Sequence, residues 1–263
     1  KESTMTIRDI THYLNTSVPT SLADPSDEGK IGLSVGDESL PLENILLALD
    51  VTKEVIEEAI QKKANLIITH HPFIYQPITK LLSTDPKTAL IYTLLHHRIQ
   101  CYSMHTNLDV VKGGVGDTLA HLLELENIEG IEAPSSFLRS GTIPITPLVD
   151  VIEHVKKRLA LDGIRYVGQM NQRIQKIGII GGSGGTVEAI EEAMAKGCDL
   201  LITSEIKLHI AQYAESRSFA LIEVNHGVER FALIPLATDL ERKFDLKNRI
   251  YVSNINTDPL QCN

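Results

Sequence analysis

Apolar and polar positions alternate along this chain in a way that spells strand, helix, strand. Asn44-Ile-Leu-Leu-Ala-Leu-Asp50 is a nearly continuous apolar run of the length and composition of a buried strand. Val51 to Lys63 reads as a helix, with Thr52 as its N-cap and Glu54 in the first turn. Ala64-Asn-Leu-Ile-Ile-Thr69 is a second strand. The same order returns at an offset of 134 residues: Lys176 to Ile180 is a strand, Thr186 to Lys196 a helix and Cys198 to Thr203 a strand. At that offset Thr52, Glu54, Ile56, Glu57, Glu58, Ala59, Lys62, Leu66, Ile68 and Thr69 meet identical residues, which indicates a duplicated β-α-β unit. Strand–helix–strand order with short connections implies parallel strands covered by crossover helices, so the fold class is α/β.

The remaining pattern fills in both copies. A helix begun near Thr88 runs to Arg98, and Gln100 to Met104 is a short strand. Gly113-Gly114 opens a turn before a helix from Asp117 to Leu125. Pro147 to Leu159 is helical, Ile164 to Met170 extended and Ser218 to Val224 a strand. Arg230 to Leu240 reads as helix and Ile250 to Val252 as a closing strand. Glu129 to Pro147 holds three prolines and two glycines and is the expected seam between lobes. The expected organisation is therefore a first lobe of residues 5–128 plus 220–263 and a second of residues 129–219.

Composition narrows the function classes. The apolar fraction is 43% and the charged fraction 22%, as in an ordinary globular protein. Lys1 to Thr4 precede Met5 and are read as a leftover of cloning. No run approaches the ~20 apolar residues that span a bilayer, and Met5 to Asn15 lacks the features of a secretory signal. Cys101, Cys198 and Cys262 form no close pair, which fits a reducing cytoplasm and excludes a cysteine-rich zinc site. The net charge of −9, without a basic block, argues against nucleic-acid binding. The skew that matters is ten histidines and no tryptophan, because histidine is the commonest metal ligand.

Three histidine-bearing clusters each follow a strand, the place where parallel α/β sheets bind ligands. Thr69-His70-His71-Pro72 comes first; its adjacent histidines can leave the strand in different directions, and Pro72 stiffens the turn. An HH pair is by default a polar loop, and His96-His97, inside a helix beside Arg98, is read that way. His105-Thr106-Asn107-Leu108-Asp109 comes second, a plain turn by itself but next to the first cluster if its strand is the neighbour expected. Asn225-His226-Gly227-Val228-Glu229 comes third, with His226 and Glu229 three apart on one side of a starting helix. The mixed nitrogen and oxygen set suits Zn, Fe, Mn or Co, and five ligands suit a two-metal site better than one tetrahedral zinc. Gly181-Gly182-Ser183-Gly184-Gly185 can either cradle an anion or serve as a flexible turn, and it matches neither a Walker loop nor the dinucleotide fingerprint. In the second copy Ser204-Glu205 stand where the first has His70-His71, and Glu205 and His209 are candidates for the same cleft.

These clusters resemble the Nif-three-like family, also called GTP cyclohydrolase 1 type 2 homologues. The resemblance runs through Ser34-Val35-Gly36, Ala48-Leu-Asp-Val-Thr52, Leu66-Ile-Ile-Thr-His-His-Pro72, His105-Thr-Asn-Leu-Asp109, Gly113-Gly114, Thr203-Ser-Glu205 and Asn256-Thr-Asp-Pro259. It implies two related α/β lobes with mixed, largely parallel sheets flanked by helices, a dinuclear metal site in the cleft between lobes, and a homohexameric ring. It also implies that His70, His71, Asp109, His226 and Glu229 are the ligands, with Glu229 bridging. This chain departs from the family pattern in spacing His226 and Glu229 by three rather than four, and in lacking a tryptophan between Ala23 and Gly32. Its length leaves no room for the extra domain inserted in longer members.

The expected function is hydrolysis by metal-bound hydroxide, since a divalent cation lowers the pKa of bound water to near ~7 in favourable sites. His105 is the candidate for proton transfer. GTP ring opening, a phosphoester or another C–N bond are compatible substrates, a nucleotide among them. The alternative is a non-enzymatic metal-binding adaptor or metallochaperone that acts through a protein partner.

Overall fold

The computed structural model describes residues 4–260; Lys1–Ser3 and the last three residues, Cys262 among them, lie outside the described residues. Contacts divide the chain into two units. The first runs to Leu108 and takes up Leu233–Thr257; the second is Asp109–Ala232 together with the chain from Asp258. In the first, α1 (Ile7–Ser17) and β1 (Gly32–Val35) precede β2 (Asn44–Ala48), α2 (Lys53–Gln61) and β3 (Ala64–Thr69). Then come α3 (Pro86–His96), β4 (Gln100–Ser103) and the short α4 (Thr106–Val110), which crosses into the second unit.

The second unit continues with α5 (Val115–Leu122), β5 (Glu126–Glu129), β6 (Arg139–Pro147), α6 (Leu148–Leu159) and β7 (Arg165–Val167). It goes on through β8 (Arg173–Ile179), α7 (Val187–Ala195), β9 (Leu200–Thr203), α8 (Leu208–Ser216), β10 (Ala220–Glu223) and a 3-10 helix, His226–Ala232. The chain then returns to the first unit as α9 (Leu233–Phe244) and β11 (Ile250–Val252). The strand order is β1-β4-β3-β2-β11 in the first sheet and β5-β6-β8-β9-β10-β7 in the second.

Both sheets are mixed. In the first, β4, β3, β2 and β11 run parallel and β1 is antiparallel at the edge. In the second, β8, β9 and β10 are parallel, while β5, β6 and β7 pair antiparallel. Side chains alternate across a strand, so each strand feeds two cores. Leu46 and Ala48 of β2, Ile67 of β3 and Cys101 of β4 pack with Val55, Ile56 and Ala59 of α2 and with Ile91 and Leu94 of α3. The opposite parity, Ile45, Leu47, Leu66, Ile68 and Tyr102, faces α1 and α9: the Tyr102 hydroxyl donates to Asn15 Oδ1 at 2.8 Å, and the Tyr13 hydroxyl ties α1 to Asp239. In the second unit Leu201, Leu221 and Leu138 pack with Ile190 and Ala193 of α7 and Ile210 and Ala214 of α8.

The duplicated unit folds alike in both copies. Thr52 and Thr186 accept hydrogen bonds from the amides of Val55 and Ala189, capping α2 and α7. Both helices end on a left-handed residue, Lys63 at φ 52° and its counterpart Gly197 at φ 75°.

Glu129–Pro147, the expected seam, instead carries the long strand β6, which joins β5 to β8 in the second sheet. Its glycines and prolines have local causes. A side chain at Gly141 would put its Cβ 2.8 Å from Leu125 Cβ, so β5 and β6 approach only because it is glycine. Pro144 sits where the pairing with β8 shifts between Thr142 and Thr146, a place that needs no amide donor. The contact boundary falls earlier, at Leu108, so α5 and β5 join the second unit. β10, expected with the first lobe, is likewise in the second sheet, because it pairs in register with β9.

Arg139 fixes that arrangement. It is 3% exposed, and its guanidinium donates to Asp117 Oδ1 at 2.5 Å, to the Ile131 carbonyl at 3.1 Å and to the Val110 carbonyl at 2.5 Å. Asp117→Ala strands a buried cation and is expected to cost about 3–5 kcal/mol in urea unfolding, whereas Lys157→Ala, exposed in the last turn of α6, should change the midpoint little.

Candidate metal centre

The carboxyl ends of β2, β3 and β4 lie level because the strands pair in register, Ala48 opposite Thr69 and Thr69 opposite Ser103. The residues that follow therefore emerge side by side. The turn after β3 is pinned at three points. The buried Thr69 hydroxyl donates to the His71 carbonyl at 2.8 Å and lies 2.9 Å from the Ser103 hydroxyl, and the His71 amide donates to Leu49 at 3.0 Å. His70 is thereby buried and His71 half-buried. Their ring centroids are 5.0 Å apart, and His105, just past β4, lies 5.5 and 5.9 Å from them.

Two of these rings are held by carboxylates. His71 Nδ1 lies 2.7 Å from Asp50 Oδ1, and Thr257 donates to the other Asp50 oxygen at 2.5 Å. His105 Nδ1 lies 2.8 and 3.0 Å from the oxygens of Asp27, which also accepts the Thr106 amide at 3.1 Å and the Thr106 hydroxyl. Burial by itself would raise both acids, but the imidazole and hydroxyl donors outweigh it and hold both below the usual carboxylate range. An ionised carboxylate can only accept, so Nδ1 is the donor in both pairs and each ring is fixed in one tautomer. Tyr75 stands edge-on to His105 at 6.4 Å, under the ammonium of Lys30.

In the second unit the ends of β8, β9 and β10 lead to Gly181-Gly182, Glu205 and His226. Asn225 Oδ1 accepts the Gly227 amide at 2.7 Å and starts the 3-10 helix. In that helix residues three apart eclipse, so His226 and Glu229 stand one above the other with Nε2 3.2 Å from Oε2. The three-residue spacing is thus matched by a helix with a period of three. A proton shared between the two atoms or a cation beside them would satisfy so close an approach, and Glu229 is only 2% exposed. His226 Nδ1 meets Glu205 Oε1 at 2.8 Å, and Ser183 donates to Glu205 Oε2 at 2.5 Å. The Ser183 and His226 donors hold the Glu205 carboxyl below its usual range. A Cβ at Gly182, which has φ +60°, would lie 2.7 Å from Glu229 Oε1. The glycine loop therefore wraps a carboxylate, which argues against the anion cradle.

Asp109 lies half-buried in α4, four residues after His105. By contact, Asp109, His226 and Glu229 belong to the second unit and His70 and His71 to the first, so the predicted ligands are shared more evenly than one ligand-rich lobe would suggest. The nitrogen and oxygen donors suit divalent Zn, Fe, Mn or Co. Burial pushes the Cys101 and Cys198 thiols up to about 11, which keeps them out of such chemistry. His209 is exposed on α8, and His96 and His97 are exposed at the end of α3. The orienting acids Asp27 and Asp50 were not picked out as functional: Asp50 closes the run after β2 and could have been suspected from its strand end, whereas Asp27 gives no signal.

The chain is similar over its full length to known proteins. Residues 5–259 match the family profile described as Duf34/NIF3 (NGG1p interacting factor 3). A protein of Lactococcus lactis named GTP cyclohydrolase 1 type 2 homolog is 35% identical over 244 residues, covering 92% of this chain and 93% of its own. The crystal structure of a Staphylococcus aureus hypothetical protein superposes with a TM-score of 0.90 at 32% identity, covering 99% of this chain and 100% of that one. A Bacillus cereus protein related to NIF3 gives a TM-score of 0.92 at 25% identity, with the same coverage. Among the described residues no helix is long and apolar enough to cross a membrane. With sequence and fold in agreement from end to end, the chain belongs to the Duf34/NIF3 family.

Proposed function

We propose that this protein is a dinuclear metal-dependent hydrolase. The residues that would hold the ions are His70 and His71 in the first unit and Asp109, His226 and Glu229 in the second. The observation that carries the reading is the pairing of imidazole with carboxylate. A ring whose Nδ1 is fixed by an acid presents Nε2 in one tautomer and one orientation, as ligating histidines do. A pair of divalent cations would supply a water nucleophile near neutral pH and charge stabilisation for the leaving group.

The chain's own residues do the rest. Asp50 holds the proton of His71 on Nδ1, and Thr257 holds Asp50. Asp27, buried and charged, does the same for His105. A buried carboxylate stabilises the imidazolium that forms when Nε2 takes a proton, so His105 is suited to receive a proton from the nucleophile and return it to the leaving group. Tyr75 stands edge-on to it at 6.4 Å, beneath the Lys30 ammonium. The name of the Lactococcus lactis relative supplies the first substrate to try, GTP, with other nucleotide phosphoesters and ring C–N bonds beside it.

Elemental analysis of protein purified without chelator should find about two divalent ions per chain. His71→Ala and Asp50→Asn should each weaken metal binding, the second by roughly 10- to 100-fold. In a nucleotide panel His105→Gln should keep its metal and lower kcat by about 100- to 10,000-fold. Turnover of every substrate unchanged in His71→Ala sinks the hydrolase. Full metal occupancy with no turnover of any substrate, beside a stably bound protein partner, replaces it with the adaptor reading.

A further inference from the structure

Three histidines share one device, an Nδ1 gripped by a carboxylate oxygen. Asp50 holds His71 at 2.7 Å, Asp27 holds His105 at 2.8 Å and Glu205 holds His226 at 2.8 Å. The third acid has a distinct origin. Glu205 occupies, at the offset of 134, the position of His71 in the first copy of the duplicated unit. The two copies thus place different chemistry at one point of one fold, an imidazole after β3 and a carboxylate after β9.

An exposed glutamate beside a histidine is ordinarily a weak surface pair. Glu205 is held more firmly than that. Its backbone is left-handed at φ 57°, a conformation that a residue bearing a side chain rarely adopts. Ser183 donates to Oε2 at 2.5 Å while His226 takes Oε1, so both oxygens are engaged. Ser183 belongs to Gly181–Gly185, and the same loop passes His226 and Glu229 at Gly182, where a Cβ would lie 3.2 Å from His226 Nε2. Loop, acid and imidazole form one assembly.

We propose that Glu205, clamped by Ser183, is the positioning residue of His226: it fixes the proton on Nδ1 and presents Nε2 to a divalent cation. The inference rests on the metal-centre reading above. It gives the glycine loop a task, because a side chain at Gly182 would intrude on the atoms that Ser183 and Glu205 align. It also accounts for the divergence of the second copy, which supplies an orienting acid where the first supplies a ligand.

Zinc affinity of the full-length, metal-stripped chain, measured by competition with a chromophoric chelator, tests the proposal. Glu205→Ala should weaken one zinc site by roughly 10- to 100-fold and leave the other unchanged. Glu205→Gln keeps an acceptor oxygen and should lose less, and Ser183→Ala should weaken the same site. On a His226→Ala background the effect of Glu205→Ala should vanish, because both changes act through one imidazole. Unaltered zinc binding in Glu205→Ala, or full additivity with His226→Ala, overturns the proposal alone. A wild-type chain that takes up no zinc overturns the metal-centre reading and this proposal with it.

Discussion

The in-register parallel pairing of β2, β3 and β4 is the constraint on which the chemistry of the first unit depends. Because Ala48, Thr69 and Ser103 are level, the chain leaves three adjacent strands at one height, and Asp50, His70, His71 and His105 follow within a few residues. A one-residue slip in a strand would turn every side chain to the other face. Thr69 and Ser103 guard against it: their hydroxyls meet between the strands, where a shifted register would leave both buried and without each other.

Carboxylate–imidazole pairs form the next layer of control. A histidine ring at a strand end can rotate and can carry its proton on either nitrogen. An acid at Nδ1 removes both freedoms at once. The acids are themselves fixed, Asp50 by Thr257, Asp27 by Thr106 and Glu205 by Ser183. Each hydroxyl holds its acid, and the acid in turn orients the ring.

Each unit carries carboxylate–imidazole pairing of its own. Both copies keep the strand, the threonine-capped helix and the second strand, because these are what bury apolar surface. The residues just past the second strand differ, His70-His71 in one copy and Ser204-Glu205 in the other. The second copy compensates by drawing its histidine from past β10, on a 3-10 helix whose period suits the short spacing to Glu229.

By itself the sequence determined the β-α-β units, their duplication, the helix caps and the strand ends that carry histidine, because each is written locally in apolar periodicity and turn chemistry. It misled at Glu129–Pro147, where glycine and proline answer to close strand approach and a break in pairing rather than to a linker. Only the tertiary structure decided that β10 belongs beside β9, that Arg139 is buried, and that Asp27 and Glu205 serve His105 and His226. Asp27 lies 78 residues from His105 and Glu205 lies 21 from His226, separations over which no local pattern records a contact. Those pairs exist because the folded strands bring the residues together, and that proximity is not written at either position alone.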